Sequence, residues 1–328
     1  MIINTLSDSK RAVYYCNGSN DDEALVTFIA NLRARDFNTF TVEIIGRFGK
    51  AKTTAISIDN SGYNQITLDF AQCNTIISRG PFLNVKNVKV MNCTVYHGAD
   101  AADAGIYTIS GTDWAVFENC HVLGEYASGD CRAFSLTNCK VINCEVKTTN
   151  NSGSNYGIYG FGLIVIGTVI EVTSANASAY GVESAQGSFI SDCRFKGISN
   201  STATTASGNG GIGGGYYSNC LFVGLGSLKG QGFYVRGGAW LSVNNCIFRG
   251  YTLNTATGWG IGLTGQANEA TTLSLIGINC NQEALTGYSQ TASMHFTGGY
   301  GAYLGIFYTA PTVNAEIKAL AAYNRNRV

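Results

Sequence analysis

The chain has 328 residues, 41 of them glycine and only 2 proline, with 13% charged residues and a formal net charge of zero. With 21 basic and 21 acidic side chains and no basic block, wholesale electrostatic binding to nucleic acid is excluded. With 45% hydrophobic residues, so is a disordered chain.

Met1-Ile2-Ile3-Asn4 runs straight into polar residues, so the start reads as neither a signal peptide nor a membrane span. Synthesis in a reducing cytosol is expected, with the eleven cysteines left as free thiols. Residues 1–40 read as a capping and attachment segment. Asn20 is placed to cap a helix whose first turn carries Asp21, Asp22 and Glu23, and Leu25, Phe28, Ile29 and Leu32 share one apolar face. Such a helix covers the exposed first turn of a solenoid.

The run Asn17-Gly18-Ser19-Asn20-Asp21-Asp22-Glu23-Ala24-Leu25, followed by a helix and then the strand Thr41-Val42-Glu43-Ile44-Ile45, resembles the opening of pectate-lyase-like β-helix proteins. A similar Gly-Asp-Asp-x-x-Ala-Leu stretch precedes the first coil in bacteriophage tailspikes and related virion proteins. The resemblance implies a virion protein assembled in the host cytoplasm, a homotrimer, attachment to other virion proteins through the N-terminal segment, and binding of host surface polysaccharide. No cofactor and no membrane insertion are expected.

Beyond it, Ile44-Ile45, Ala55–Ile58 and Ile66–Phe70 read as early, less regular coils, with Cys73 as a candidate start of a ladder and Pro81 at a corner. A regular repeat then takes over. Asn92-Cys93, Asn119-Cys120, Asn143-Cys144, Asn219-Cys220, Asn245-Cys246 and Asn279-Cys280 recur, with Asp192-Cys193 as a near copy and Gly167-Thr168 standing where a copy is missing. The steps between them are 27, 24, 24, 25, 27, 26 and 34 residues, and Asn138-Cys139 falls out of step. Apolar residues stand two after and three before each cysteine, the alternation of strands facing one interior. With a third strand upstream, the fold class is all-β: a right-handed parallel β-helix of nine to eleven coils, three short strands per coil of roughly 25 residues, spanning 41–295. The hand comes from the general crossover preference.

The Asn column (Asn92, Asn119, Asn143, Asp192, Asn219, Asn245) reads as corners whose side chains bond from coil to coil. The cysteines Cys93, Cys120, Cys144, Cys193, Cys220 and Cys246 read as small inward bodies. No Cys-x-x-Cys pair occurs, so no metal site is expected.

Two features decorate the coils. Tyr107, Phe134, Tyr159, Glu183, Gly213 and Tyr234 form an expected outward column that stacks on sugar rings, is buried between subunits, or is plain sheet surface. The loops His97–Asp103 and Glu125–Asp130 follow one strand on consecutive coils and place Asp100, Asp103, Glu125 and Asp130 side by side. Carboxylate pairs serve glycoside hydrolysis as acid and base or nucleophile, and also hold Ca²⁺; solvated loops are the bland reading. His121 and His295 read as surface or corner residues.

Residues 197–215 read as a Ser/Thr/Gly/Asn-rich excursion, 288–308 as leaving the coil register, and Asn314–Tyr323 as a short helix within a closing or oligomerisation segment, 296–328. The function expected is a phage virion structural protein, a tailspike, tail fibre or neck or head spike, that binds a host surface glycan. The alternatives are a polysaccharide depolymerase and a purely architectural spike.

Overall fold

The computed structural model describes residues 11–34, 39–49, 55–78, 80–98, 107–184, 187–235, 240–252, 259–266, 272–285, 294–297, 300–309, 317–319 and 322–323. It is a parallel β-solenoid of about eight turns with three sheets. The first sheet holds the strand before each Asn-Cys pair: Val88–Met91, Val116–Glu118, Lys140–Ile142, Ile164–Ile166, Phe189–Ser191 and Gly215–Ser218. The second holds the strand after it: Thr94–His97, His121–Tyr126, Glu145–Asn150, Val169–Ser174, Arg194–Ser199 and Leu221–Gly226. The third contains Tyr107–Thr112, Cys131–Thr137, Asn155–Phe161, Ala179–Ser184, Gly208–Gly213 and Lys229–Val235. Each of these strands pairs in parallel with its copy one turn away, so a single interior runs along the stack.

The Asn corners form as the repeat predicts. Asn92, Asn119, Asn143, Asp192, Asn219 and Asn245 all have φ between 51° and 57°, the left-handed region that Asn tolerates. Their side chains link turns: Asn119 Nδ2 donates to Asn92 Oδ1 at 3.3 Å, Asn219 Nδ2 to Asp192 Oδ1 at 3.0 Å and Asn245 Nδ2 to Asn219 Oδ1 at 2.9 Å. Gly167 holds the same corner at φ 62°, and a Cβ there would collide with Asn143 Oδ1.

Each following cysteine is buried, and in two of them, Cys144 and Cys193, the sulfur both donates and accepts. The Cys144 thiol donates to the Phe117 carbonyl one turn back, while its sulfur accepts the Cys120 N–H at 3.4 Å. The Cys193 sulfur likewise accepts the Thr168 N–H at 3.4 Å, while its thiol lies 2.9 Å from the Ser191 carbonyl and 3.7 Å from that of Val165. Thr168 fits the column because its hydroxyl accepts the Cys144 N–H at 3.3 Å.

Asn138 is not a stray copy. It belongs to a second corner, between the third and first sheets, with Asn87, Asp113-Trp114 and Gly162, all at positive φ. Cys73 does not start the ladder: Ile76 pairs with Val95, which places Asn74 at the Cys93 position, and Cys73 lies beside Cys16 instead.

The helix Asp21–Arg33 buries Leu25, Phe28, Ile29 and Leu32, as its spacing predicts. The expected Asn20 cap is absent, because that side chain bonds Asn17 instead. Asp21 organises the entry: its buried carboxylate accepts from the Tyr14 hydroxyl and from the N–H groups of Asn17, Gly18 and Gly49, at 2.7–2.9 Å. Arg33 ties the other helix end to the Asp59 carbonyl and Asn60.

From Gly197 onward the second and third sheets nearly touch. A Cβ on Gly197, Gly208, Gly224 or Gly230 would enter the opposite wall's backbone, so only glycine fits. The expected 197–215 excursion shrinks to a loop over 200–207, since Gly208–Gly213 is an ordinary strand of the third sheet. Within 288–308, expected to leave the coil register, the described strands Met294–Thr297 and Tyr300–Thr309 still pair in parallel with the preceding turn, the latter with a register shift between Gly277 and Cys280. The predicted closing helix is replaced by strands Ile317–Ala319 and Ala322–Tyr323, antiparallel to Tyr300–Thr309. A ten-residue helix is marginal alone, and a sheet edge offers its backbone better partners.

Candidate functional site

The outer face of the third sheet is built by a strand that departs from simple alternation. In Cys131–Thr137 the outward residues are Arg132 and Ser135, with Ala133 and Phe134 both buried between them. Asn155–Phe161 repeats this with Tyr156 and Tyr159 outward, and Ala179–Ser184 with Tyr180 and Glu183. The first member of each buried pair is small (Thr108, Ala133, Gly157, Gly181) because the opposite wall is close. A Cβ on Gly157 would run into Ile170, and one on Gly181 would meet Phe195 at 2.9 Å.

Two outward columns result. Tyr107, Arg132, Tyr156 and Tyr180 stand in register in one, and Ser135, Tyr159, Glu183 and Tyr234 in the other, with Ile212, itself buried, at the register position between the last two. Tyr156 and Tyr180 stack at 4.8 Å and 14°, and Tyr156 meets Tyr159 edge-on at 5.7 Å. The Arg132 guanidinium lies 3.8 Å above the Tyr159 ring and 5.9 Å from that of Tyr156. Its Nε is buried without a hydrogen-bond partner. Burial pushes the Tyr156 phenol well above its ordinary range, with smaller contributions from Tyr180, Glu183 and Asp130. Tyr156 therefore stays a protonated donor at neutral pH. Asp130, at the neighbouring corner, accepts the Ser154 N–H at 2.9 Å.

Of the expected outward column, Tyr159, Glu183 and Tyr234 face out in register, and Tyr107 faces out in the other column. Phe134 is corrected: it is fully buried and packs on Phe117 at 5.7 Å. Gly213 is a positive-φ residue at the strand's end, and Ile212 takes the column position. Arg132, Tyr156 and Tyr180 were not anticipated. Their signal is Tyr156 and Tyr180 recurring 24 residues apart, three before Tyr159 and Glu183.

Asp100 and Asp103 lie outside the described residues. Glu125 and Asp130 are exposed, and the register of His97 with Gly124 sets the origins of the two loops on adjacent turns, as expected. His97 itself is interior: its Nδ1 is 3.1 Å from the Glu125 carbonyl oxygen, and its ring lies 4.5 Å from Tyr126. His121 is on the surface, beside Glu145 at 3.1 Å.

A second aromatic surface lies on the first sheet. Phe189 and Tyr216 stack at 4.7 Å in a groove of about 370 Å³ that Ile164, Ile166, Ser218 and Asn244 also line. Among the described residues no three His, Cys, Asp or Glu side chains gather as a metal site would need, and no helix is long and apolar enough to cross a membrane.

No protein-family model matches this chain, and no curated protein does. Among solved structures, the chain is similar to PfbA, a surface adhesin of Streptococcus pneumoniae, at 7% identity and a TM-score of 0.29, over 93% of this chain and 98% of that one. At that score the likeness carries no argument.

Proposed function

We propose that this protein is a virion spike or fibre whose rigid β-helix displays a binding face for a host-surface glycan. The observation that carries the reading is the cluster of Arg132, Tyr156, Tyr159, Tyr180 and Glu183 on one outward sheet. Half-buried tyrosines lose little entropy when they bind and offer both ring carbons and hydroxyls, and a carboxylate accepts from sugar hydroxyls. Their fixed spacing at the turn repeat suits a polymer laid along the rod. The virion setting rests on the resemblance of Asn17–Leu25 to tailspike openings. In that setting the N-terminal segment joins neighbouring virion proteins and the rod assembles as a homotrimer, testable as a solution mass three times 34.8 kDa.

A depolymerase is the second reading, favoured by one observation: Glu183 stands in the column beside Tyr159, and Asp130 lies at the neighbouring corner, where it accepts the Ser154 N–H. One would protonate the leaving oxygen while the other serves as base or nucleophile. The test is incubation with polysaccharide from candidate hosts, following retention and new reducing or unsaturated ends. Retention without new ends supports the binding spike; new ends that vanish in Asp130→Asn support the depolymerase; no retention and no cleavage leave an architectural rod.

A further inference from the structure

We infer that Arg132 makes this face a site for acidic sugars, with the guanidinium taking the carboxylate of a uronate-type residue; the inference rests on the glycan-binding reading above. A cation on a sheet surface normally finds a carboxylate, and this molecule shows the habit elsewhere: Lys86 pairs with Asp59, Lys89 with Glu118 and Lys196 with Glu171. Arg132 does not. Among the described residues its guanidinium has ring contacts and neither a hydrogen bond nor an ion pair, and its Nε is buried.

The position is held rather than accidental. Arg132 shares its column with Tyr156, and its head is laid on Tyr159, which belongs to the other column one turn on. Stacking on aromatic faces fixes the guanidinium plane while leaving its N–H fork to bind. A carboxylate accepts that fork in a bidentate pair, which neutral hydroxyls cannot match. The rest of the cluster complements such a sugar: Tyr156 stays a hydroxyl donor, and Glu183, one turn beyond Tyr159, accepts from ring hydroxyls at a distance from the anion. An anion alone would not need the tyrosines, and a neutral sugar would not need the unpaired cation.

The test titrates the full chain with methyl β-D-glucuronide and with methyl β-D-glucoside, followed by saturation-transfer NMR. The expected result is glucuronide affinity about tenfold or more above that of the glucoside at low salt, the size of one charge-assisted pair. Arg132→Met removes the preference by weakening glucuronide binding about tenfold more than glucoside binding, and Arg132→Lys restores only part of it; melting by circular dichroism checks that both variants fold. Equal binding of the two sugars, unaffected by Arg132→Met, overturns the acidic-sugar inference and leaves the glycan reading standing. Displacement of glucuronide by an equal concentration of inorganic sulfate overturns it as well, by making the site a plain anion site. Binding of neither sugar overturns it too, and polysaccharide retention then decides the glycan reading separately.

Discussion

The sulfur ladder shows how one residue type solves a local accounting problem. At the Asn119, Asn143 and Gly167 corners the next residue's N–H points along the stack, and the sulfur or hydroxyl one turn on accepts it. Cys144→Ala should therefore cost about 1–3 kcal/mol, by orphaning the Cys120 N–H and opening a small void, whereas Cys144→Thr should cost much less because Thr168 already plays that part. Chemical unfolding midpoints of the two variants check this. Burial pushes the Cys16 and Cys139 thiols up to about 12. The folded state thus binds these protons more tightly than the unfolded state does. Their contribution to stability is complete below the ordinary thiol value, 9.0, and is lost as pH rises toward about 12. Melting temperature should be level from pH 6 to about 8.5 and fall above about 9, with the buried thiols of Cys93, Cys120, Cys139, Cys144, Cys193, Cys220 and Cys246 silent to a disulfide reagent at pH 8.

At the scale of the element, two local devices decide where strands begin and bend. The Asp21 carboxylate fastens a loop, a strand tyrosine and Gly49 at once, so the helix enters from a fixed point. Asp21→Ala should destabilise the entry by about 3 kcal/mol or more, since bonds to a charged acceptor are worth about 1.5–3 kcal/mol each. Limited proteolysis should then cut near residues 16–20 while the later coils resist. The doubled inward step of the third sheet is the other device, and it marks where sequence reading failed. The first and second sheets alternate with period two, so their inward columns and the Asn-Cys corners were legible. In the third sheet, Ala133 and Phe134 both turn inward, the phase slips by one, and a reading at period two sends Phe134 outward and overlooks Arg132. Period alone does not reveal a bend; the recurring Thr108, Ala133, Gly157 and Gly181 would have. The C-terminal strands were illegible for a different reason, because their residues pair with Tyr300–Thr309, a partner helical spacing does not reveal.

For the whole molecule, stability follows the stack: each turn touches its neighbours, so a defect weakens its own turn and the two beside it. The narrow region is the sharpest test. Gly224 lies where a Cβ would enter the Gln231 carbonyl, so Gly224→Val must part the second and third sheets. Soluble yield should collapse, whereas Val223→Thr, a change on the outward side of the same strand, should be neutral within about 0.5 kcal/mol. A rod built this way keeps its outward columns at fixed spacing, which is the link from fold to function. Binding there would neither require nor cause rearrangement of the core.

The most direct test of the account is hydrogen exchange and hydroxyl-radical footprinting of the native protein with and without a retained host polysaccharide. Bound polysaccharide should protect Tyr156, Tyr159 and Tyr180 on the third sheet and leave Phe189 and Tyr216 on the first sheet unchanged. Protection confined to Phe189 and Tyr216, with the third-sheet tyrosines as reactive as before, would contradict it and move the binding face to the first sheet.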